Sequence, residues 1–102
     1  MTNIRDARNA LVRRILKGTG KASLPERWAA FNNSNVAQPL GALVEKVAMH
    51  ANTVTSEDIT VAKASGFSED QVFEIAVCAA VGQATRQYNA AIAALETAAR
   101  KD

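Results

Sequence analysis

Cysteine, histidine, tryptophan and tyrosine each occur once in these 102 residues. A lone Cys78 has no partner for an internal disulfide, and no pair of Cys or His stands at metal-ligand spacing. His50 would need partners that the chain does not supply, so neither a metal nor a cofactor is expected. No run of about eighteen apolar residues free of charge is present, which excludes a membrane-spanning helix. The start of the chain, MTNIRDARNALVRR, lacks the apolar core of a secretion signal, and the expected location is cytoplasmic. Aromatic content is only 5% against 48% hydrophobic. The apolar share is therefore carried by small residues, Ala above all, which favours helices with close contacts.

What is present is charge of uneven placement. Residues 1–27 hold seven basic residues, Arg5, Arg8, Arg13, Arg14, Lys17, Lys21 and Arg27, against Asp6 and Glu26, a net of +5. The remainder, five basic against eight acidic, carries −3. A basic arm of this kind can meet nucleic acid, an anionic surface, or the acidic part of its own or a neighbouring subunit. A wet helix face or a subunit contact is the plainer reading.

Taken in order, the chain reads as one all-α domain over 1–102, a basic N-terminal helix and flexible linker (1–22) followed by a helical core (23–102). The spacing predicts an antiparallel bundle of about five helices. The first runs from about Asn3 to Lys17, capped by Thr2 or Asn3 and followed by Gly18. Ile4, Ala7, Leu11 and Ile15 form its apolar line, widened by Val12 and Leu16. The stretch Gly18 to Ala22 reads as flexible. Ser23 and Glu26 form a capping box with Pro25 inside the first turn, where its missing N–H is harmless. The short helix that follows carries Trp28 and Phe31 as a packing plug. Pro39 opens a third helix on which Leu40, Leu43, Val44, Val47, Ala48 and Ala51 keep helical spacing. Gly41 within it marks either a tolerated loss or a close backbone approach, and His50 stands near its C-terminus. Thr55 to Asp58 start a fourth helix that Gly66 ends. The fifth, from Ser68 to Leu95, opens with a Ser68/Gln71 capping box and is apolar on most sides, which places it at the centre of the fold.

The candidate chemistry gathers on that last helix. Glu74 and Cys78, four residues apart, share a face, so the carboxylate could take the thiol proton. A carboxylate beside a thiol also raises the thiol pKa, and an inert Cys78 is the default. Gln83, Arg86 and Gln87 interrupt the apolar side. They could line a ligand cavity, bond across a subunit interface, or, for Arg86, pair with a distant carboxylate. Tyr88 could supply a phenolic donor to the same pocket. The segment VAKASGFSEDQV imitates a helix-turn-helix, but its second helix would present Glu69, Asp70 and Glu74 to phosphates, and nucleic-acid binding is disfavoured.

The stretch from Leu40 to Leu95, through the turn SEDITVAKASGFSEDQVFEI and the long Ala-rich helix with its Arg-containing segment, resembles the carboxymuconolactone decarboxylase and alkylhydroperoxidase D-like (AhpD-like) superfamily. The resemblance implies an all-α fold, assembly as a trimer or hexamer, and pockets near subunit contacts. Redox members of that superfamily carry a Cys-x-x-Cys and a His, with a Glu about three turns earlier. With Glu74 matched to that Glu, Arg86 to Asn89 occupy the place of the cysteine pair and Ala93 that of the His. In the other register the helix matches a non-catalytic helix of longer members. The expectation is a small homo-oligomeric relative without the redox pair, acting as a non-redox binding or accessory protein. Two alternatives stand beside it: a residual peroxidase or lactone-type enzyme using Glu74, Cys78 and His50, and a helix-turn-helix module.

Overall fold

The computed structural model describes residues 2–100, with side chains from residue 6 onward. The cap expected at Thr2 or Asn3 and the side chains of Ile4 and Arg5 lie outside it. Five helices run in order, α1 (Thr2–Lys17), α2 (Leu24–Asn32), α3 (Leu40–Met49), α4 (Ser56–Ala64) and α5 (Glu69–Arg100), with a 3-10 turn at Ala51–Thr53. The expected all-α bundle with one long C-terminal helix is the observed architecture, and no strand occurs among the described residues.

Local chemistry sets the helix starts. Ser23 Oγ accepts from the Glu26 N–H while the Glu26 carboxylate accepts from the Ser23 N–H. Thr55 and Asp58 repeat that exchange at α4, and Ser68 and Gln71 at α5. Each box satisfies two backbone donors that the first helical turn leaves orphaned. The ends are equally local. Asn33, in the left-handed region at φ 49°, terminates α2, and Gly66 at φ 105° turns the chain between α4 and α5. Of the two readings of Gly41, the structure shows the close backbone approach, since a Cβ there would meet the Val36 carbonyl oxygen at 2.7 Å.

Helix α5 packs chiefly on α2 and α3, α1 lies on α2 and α5 of its own chain, and α4 closes against α3 and α5. The core joins Leu40, Leu43 and Val44 of α3 to Val72, Ile75, Cys78 and Ala79 of α5, with Ala22, Ala30 and Ala62 from the remaining segments. Val44 and Ile75 are fully enclosed, and each such side chain contributes about 1.5–3 kcal/mol of burial. Small residues at the contacts let the backbones come close. Gly82 is the extreme case: a Cβ on it would run into the Phe31 main chain at the end of α2.

The expectation that the last helix is central holds for its first half. From Asn89 to Arg100 only Ile92 is half-buried and every other residue is exposed. A helix of 32 residues is about 48 Å long at about 1.5 Å per residue, and the molecule measures 55 × 28 × 21 Å. The far half of α5 therefore stands clear of the body. Trp28 and Phe31 pack edge to face with centroids 6.4 Å apart, yet Trp28 remains exposed, so the expected plug is only partly sunk.

Candidate functional site

The chain between α1 and α2 is where the two charged halves meet. An α-helix leaves its last carbonyls without internal donors; at the end of α1 the Gly18 N–H takes that of Arg14, and a side chain from α2 takes that of Ile15 and the carbonyl of Gly18 just beyond. Arg27 Nη1 donates to the carbonyl of Gly18 at 2.6 Å and to that of Ile15 at 3.2 Å. A cation is favoured at this end of a helix. Arg27 is only 6% exposed, and its Nε has no partner. A buried donor left without a bond costs about 1–3 kcal/mol.

Glu74 approaches the same loop from α5. Both of its carboxylate oxygens accept from the Lys21 N–H at 2.9 Å, and Oε1 also accepts from the Ala22 N–H at 2.9 Å. Gln71, one turn earlier, donates to the Lys21 carbonyl. The stretch expected to be flexible is thus tied down, and Ala22 is buried at its end. Gly20 is part of the fit, because a Cβ there would come within 2.6 Å of Glu74 Oε1. Partial burial pushes the Glu74 carboxyl up, but the N–H groups of Ala22 and Lys21 and the charges of Arg27 and Lys21 outweigh it, and the net shift is below the ordinary value.

Cys78 lies one turn beyond Glu74, 1% exposed, with its thiol 4.0 Å from the Ile15 carbonyl oxygen. Burial, with Glu74 adding to it and Arg27 opposing, pushes the thiol up to about 11. The thiolate is scarce, and the carboxylate that might have taken its proton is already accepting three backbone bonds. Geometry therefore places Glu74 and Cys78 together, as their spacing requires, in structural roles.

Beside them an open groove of about 590 Å³ runs between α1 and α5. Leu11, Arg14, Ile15 and Gly18 line it from the side of α1, and Phe73, Glu74, Val77 and Cys78 from α5; Thr19 and Arg27 complete it. Its volume falls in the range of small-molecule sites, about 300–1,000 Å³. Leu11 and Phe73 stand half or more exposed in it, at 50% and 68%. Together with Ile15 and Val77 they give the groove a largely apolar lining.

The other expected residues are elsewhere. His50 caps α3, its N–H donating to the Lys46 carbonyl at 2.7 Å; it is exposed and does not line the groove. Arg86 neither lines this groove nor meets a carboxylate. Its Nη1 donates to the Phe31 carbonyl at 2.6 Å and its Nη2 to Gln83 Oε1 at 2.9 Å, so it caps α2 as Arg27 caps α1. Gln83 holds that guanidinium in place, and Gln87 is exposed. Tyr88 is half-buried under the Arg8 guanidinium, 4.5 Å from ring centroid to Cζ, a cation–π contact.

Sequence reasoning did not single out Arg27, Arg14, Leu11 or Phe73 as site residues. One signal existed for Arg27: it stands three and four residues before the apolar Ala30 and Phe31, and so on their face of the helix. Among the described residues no three His, Cys, Asp or Glu cluster as metal ligands, and no helix is long and apolar enough to cross a membrane. No protein-family model matches the chain, and neither the curated proteins nor the solved structures compared with it gave a match.

Proposed function

We propose that this chain is a small homo-oligomeric member of the carboxymuconolactone decarboxylase and AhpD-like superfamily that binds a small molecule in the α1/α5 groove without redox chemistry. The observation that carries the reading is the contrast within one site. Its two potentially reactive groups, Glu74 and Cys78, are committed to holding the fold, while the apolar walls next to them stay open. The acid–base and thiol chemistry open to Glu74 and Cys78 needs a free carboxylate and an available thiolate; a binding site needs a shaped, partly apolar recess with a few polar groups.

Self-association is supported by a separate feature, the projecting half of α5 with Ile92 and Leu95 on it. Leu95 is 66% exposed, and the radius of gyration, 15.5 Å, exceeds the roughly 13 Å of a compact chain of 100 residues. The opposite net charge of residues 1–27 and of the remainder is of the kind that steers association between copies.

Light scattering at two salt concentrations tests the assembly, with a salt-resistant trimer or hexamer expected and a shift to monomer on Leu95→Glu. A monomeric wild type would remove that half of the reading. For the groove, a neutral apolar fluorophore is expected to brighten with the wild type and not with Phe73→Glu, a change at an exposed position that leaves the core alone. Equal brightening with both proteins would place binding elsewhere.

A further inference from the structure

We propose that the ligand of the α1/α5 groove is an amphipathic carboxylate, its head held at the Arg14/Arg27 end and its apolar body lying along Leu11, Phe73 and Val77; this rests on the reading of that groove as a binding site. Three observations converge on it.

The first is charge. The groove is lined by two guanidinium groups and one carboxylate. Glu74 does not neutralise the pair by direct contact, because both its oxygens accept from the main chain of Lys21 and Ala22. A single positive charge in excess remains at a recess with apolar walls, where field strength is higher than in open water.

The second is an orphaned donor on a lining residue: of the two buried arginine Nε atoms without a partner among the described residues, on Arg8 and Arg27, that of Arg27 belongs to the groove. Arg27 Nη1 is committed to the end of α1, and its Nε is buried without a partner. Guanidinium nitrogens present donors in a planar fork that matches a carboxylate. Arg14, exposed at the rim, supplies a second cation that can follow the head group in. The third is the apolar remainder: Leu11 and Phe73 are the exposed walls, and Ile15 and Val77 add half-buried apolar surface to the same lining. A head-only anion such as phosphate would leave those walls wet, and a neutral apolar molecule would leave the guanidinium groups facing hydrocarbon.

The test is isothermal titration of the full chain with three probes of one chain length, decanoate, decanol and decylammonium, each below its aggregation concentration. Decanoate is expected to bind about tenfold or more tightly than decanol, the range of a hydrogen bond to a charged group, and decylammonium more weakly than either. Arg14→Gln, at an exposed position, is expected to reduce decanoate binding about fivefold, the upper range for one solvent-facing ion pair, and to leave decanol unchanged. Arg27→Gln also removes the cap of α1, so its effect is read only alongside Arg14→Gln and a circular dichroism spectrum. Equal affinity for decanoate and decanol, both lost in Phe73→Glu, would overturn the carboxylate proposal and keep the groove as a binding site. No binding of any probe, or binding indifferent to Phe73→Glu, would overturn both.

Discussion

Arg86 Nη1 reaches the carbonyl of Phe31 at 2.6 Å, and Gly82, one turn earlier on α5, clears the space in which α2 can come that near. The two residues act together: one draws the end of α2 onto α5 and the other makes the approach sterically possible. Arg27 does the same for the end of α1. Three of the five helices are thereby joined through main-chain carbonyls, with arginine as the connector each time.

Replacing Arg86 by Met keeps the aliphatic stem and removes the donors. The expected loss is about 1.5–3 kcal/mol, that of a hydrogen bond to a charged group, read as a lower urea midpoint at constant slope. A change within about 0.5 kcal/mol, typical of an unimportant surface position, would mean that α2 is held by its apolar contacts alone.

Gly82→Ala sets two effects against each other. Alanine improves helix propensity by about 1 kcal/mol, while the added methyl meets Phe31 main-chain atoms that no rotamer change can move aside. Overpacking of this kind costs about 1–3 kcal/mol and can cost more. The contact is with backbone, so strain prevails, and the melting temperature falls. A rise would show that α2 and α5 can part without penalty.

The carboxylates Glu74 and Asp58 make stability fall in acid. For Asp58 the Thr55 N–H, then the Lys46 ammonium at 3.0 Å, hold the carboxyl below its ordinary 3.8. For Glu74 desolvation opposes, but the loop N–H groups and the nearby cations win and hold it below 4.5. A folded-state pKa below the unfolded one gives stability that is fully present above the unfolded value and is lost as pH falls through the folded one. The urea midpoint is therefore expected to be flat near neutrality and to drop below pH about 4.5. In Glu74→Gln the neutral midpoint is lower and the acid drop shallower. An unchanged pH profile in that variant would assign the acid sensitivity to other groups.

Cys78 is expected to be silent in the folded protein. A rise from 9.0 to about 11 leaves about a hundredfold less thiolate at neutral pH, and the sulfur is enclosed besides. A disulfide reagent should label it slowly in buffer and at an ordinary rate in urea. Peroxide consumption by wild type and Cys78→Ser should match the buffer blank. Rapid native labelling, or turnover that vanishes with the thiol, would restore the redox reading.

The sequence discloses the local half of this fold and little of the rest. The capping boxes at Ser23/Glu26 and Ser68/Gln71 are legible because donor and acceptor stand three residues apart, Thr55 to Asp58 are legible as a helix start, and the ends at Gly18 and Gly66 follow from backbone preference. The core face of α3 is legible for the same reason, since periodicity is a local property. Glu74, Arg27 and Arg86 are not legible in their actual roles. Their partners are main-chain atoms up to 55 residues away, and a backbone carbonyl carries no residue type by which it could be recognised. Arg86 therefore invited readings as a pocket or carboxylate partner, and the tied Gly18–Ala22 loop looked free. The exposed outer half of α5 escapes notice for a related reason: Ala reads as apolar whether it is buried or bare.

The connectors also divide the chain by how much change it can absorb. Each long-range tie pairs one specific side chain with a carbonyl or N–H that every residue type offers, apart from the N–H missing in proline. Ile15, Phe31 and Lys21 can be exchanged without erasing the atom that Arg27, Arg86 or Glu74 seeks. The vulnerability is one-sided: in a saturating substitution scan the three charged connectors should appear as narrow columns of intolerance, and the positions they grip as wide ones limited mainly by their own packing.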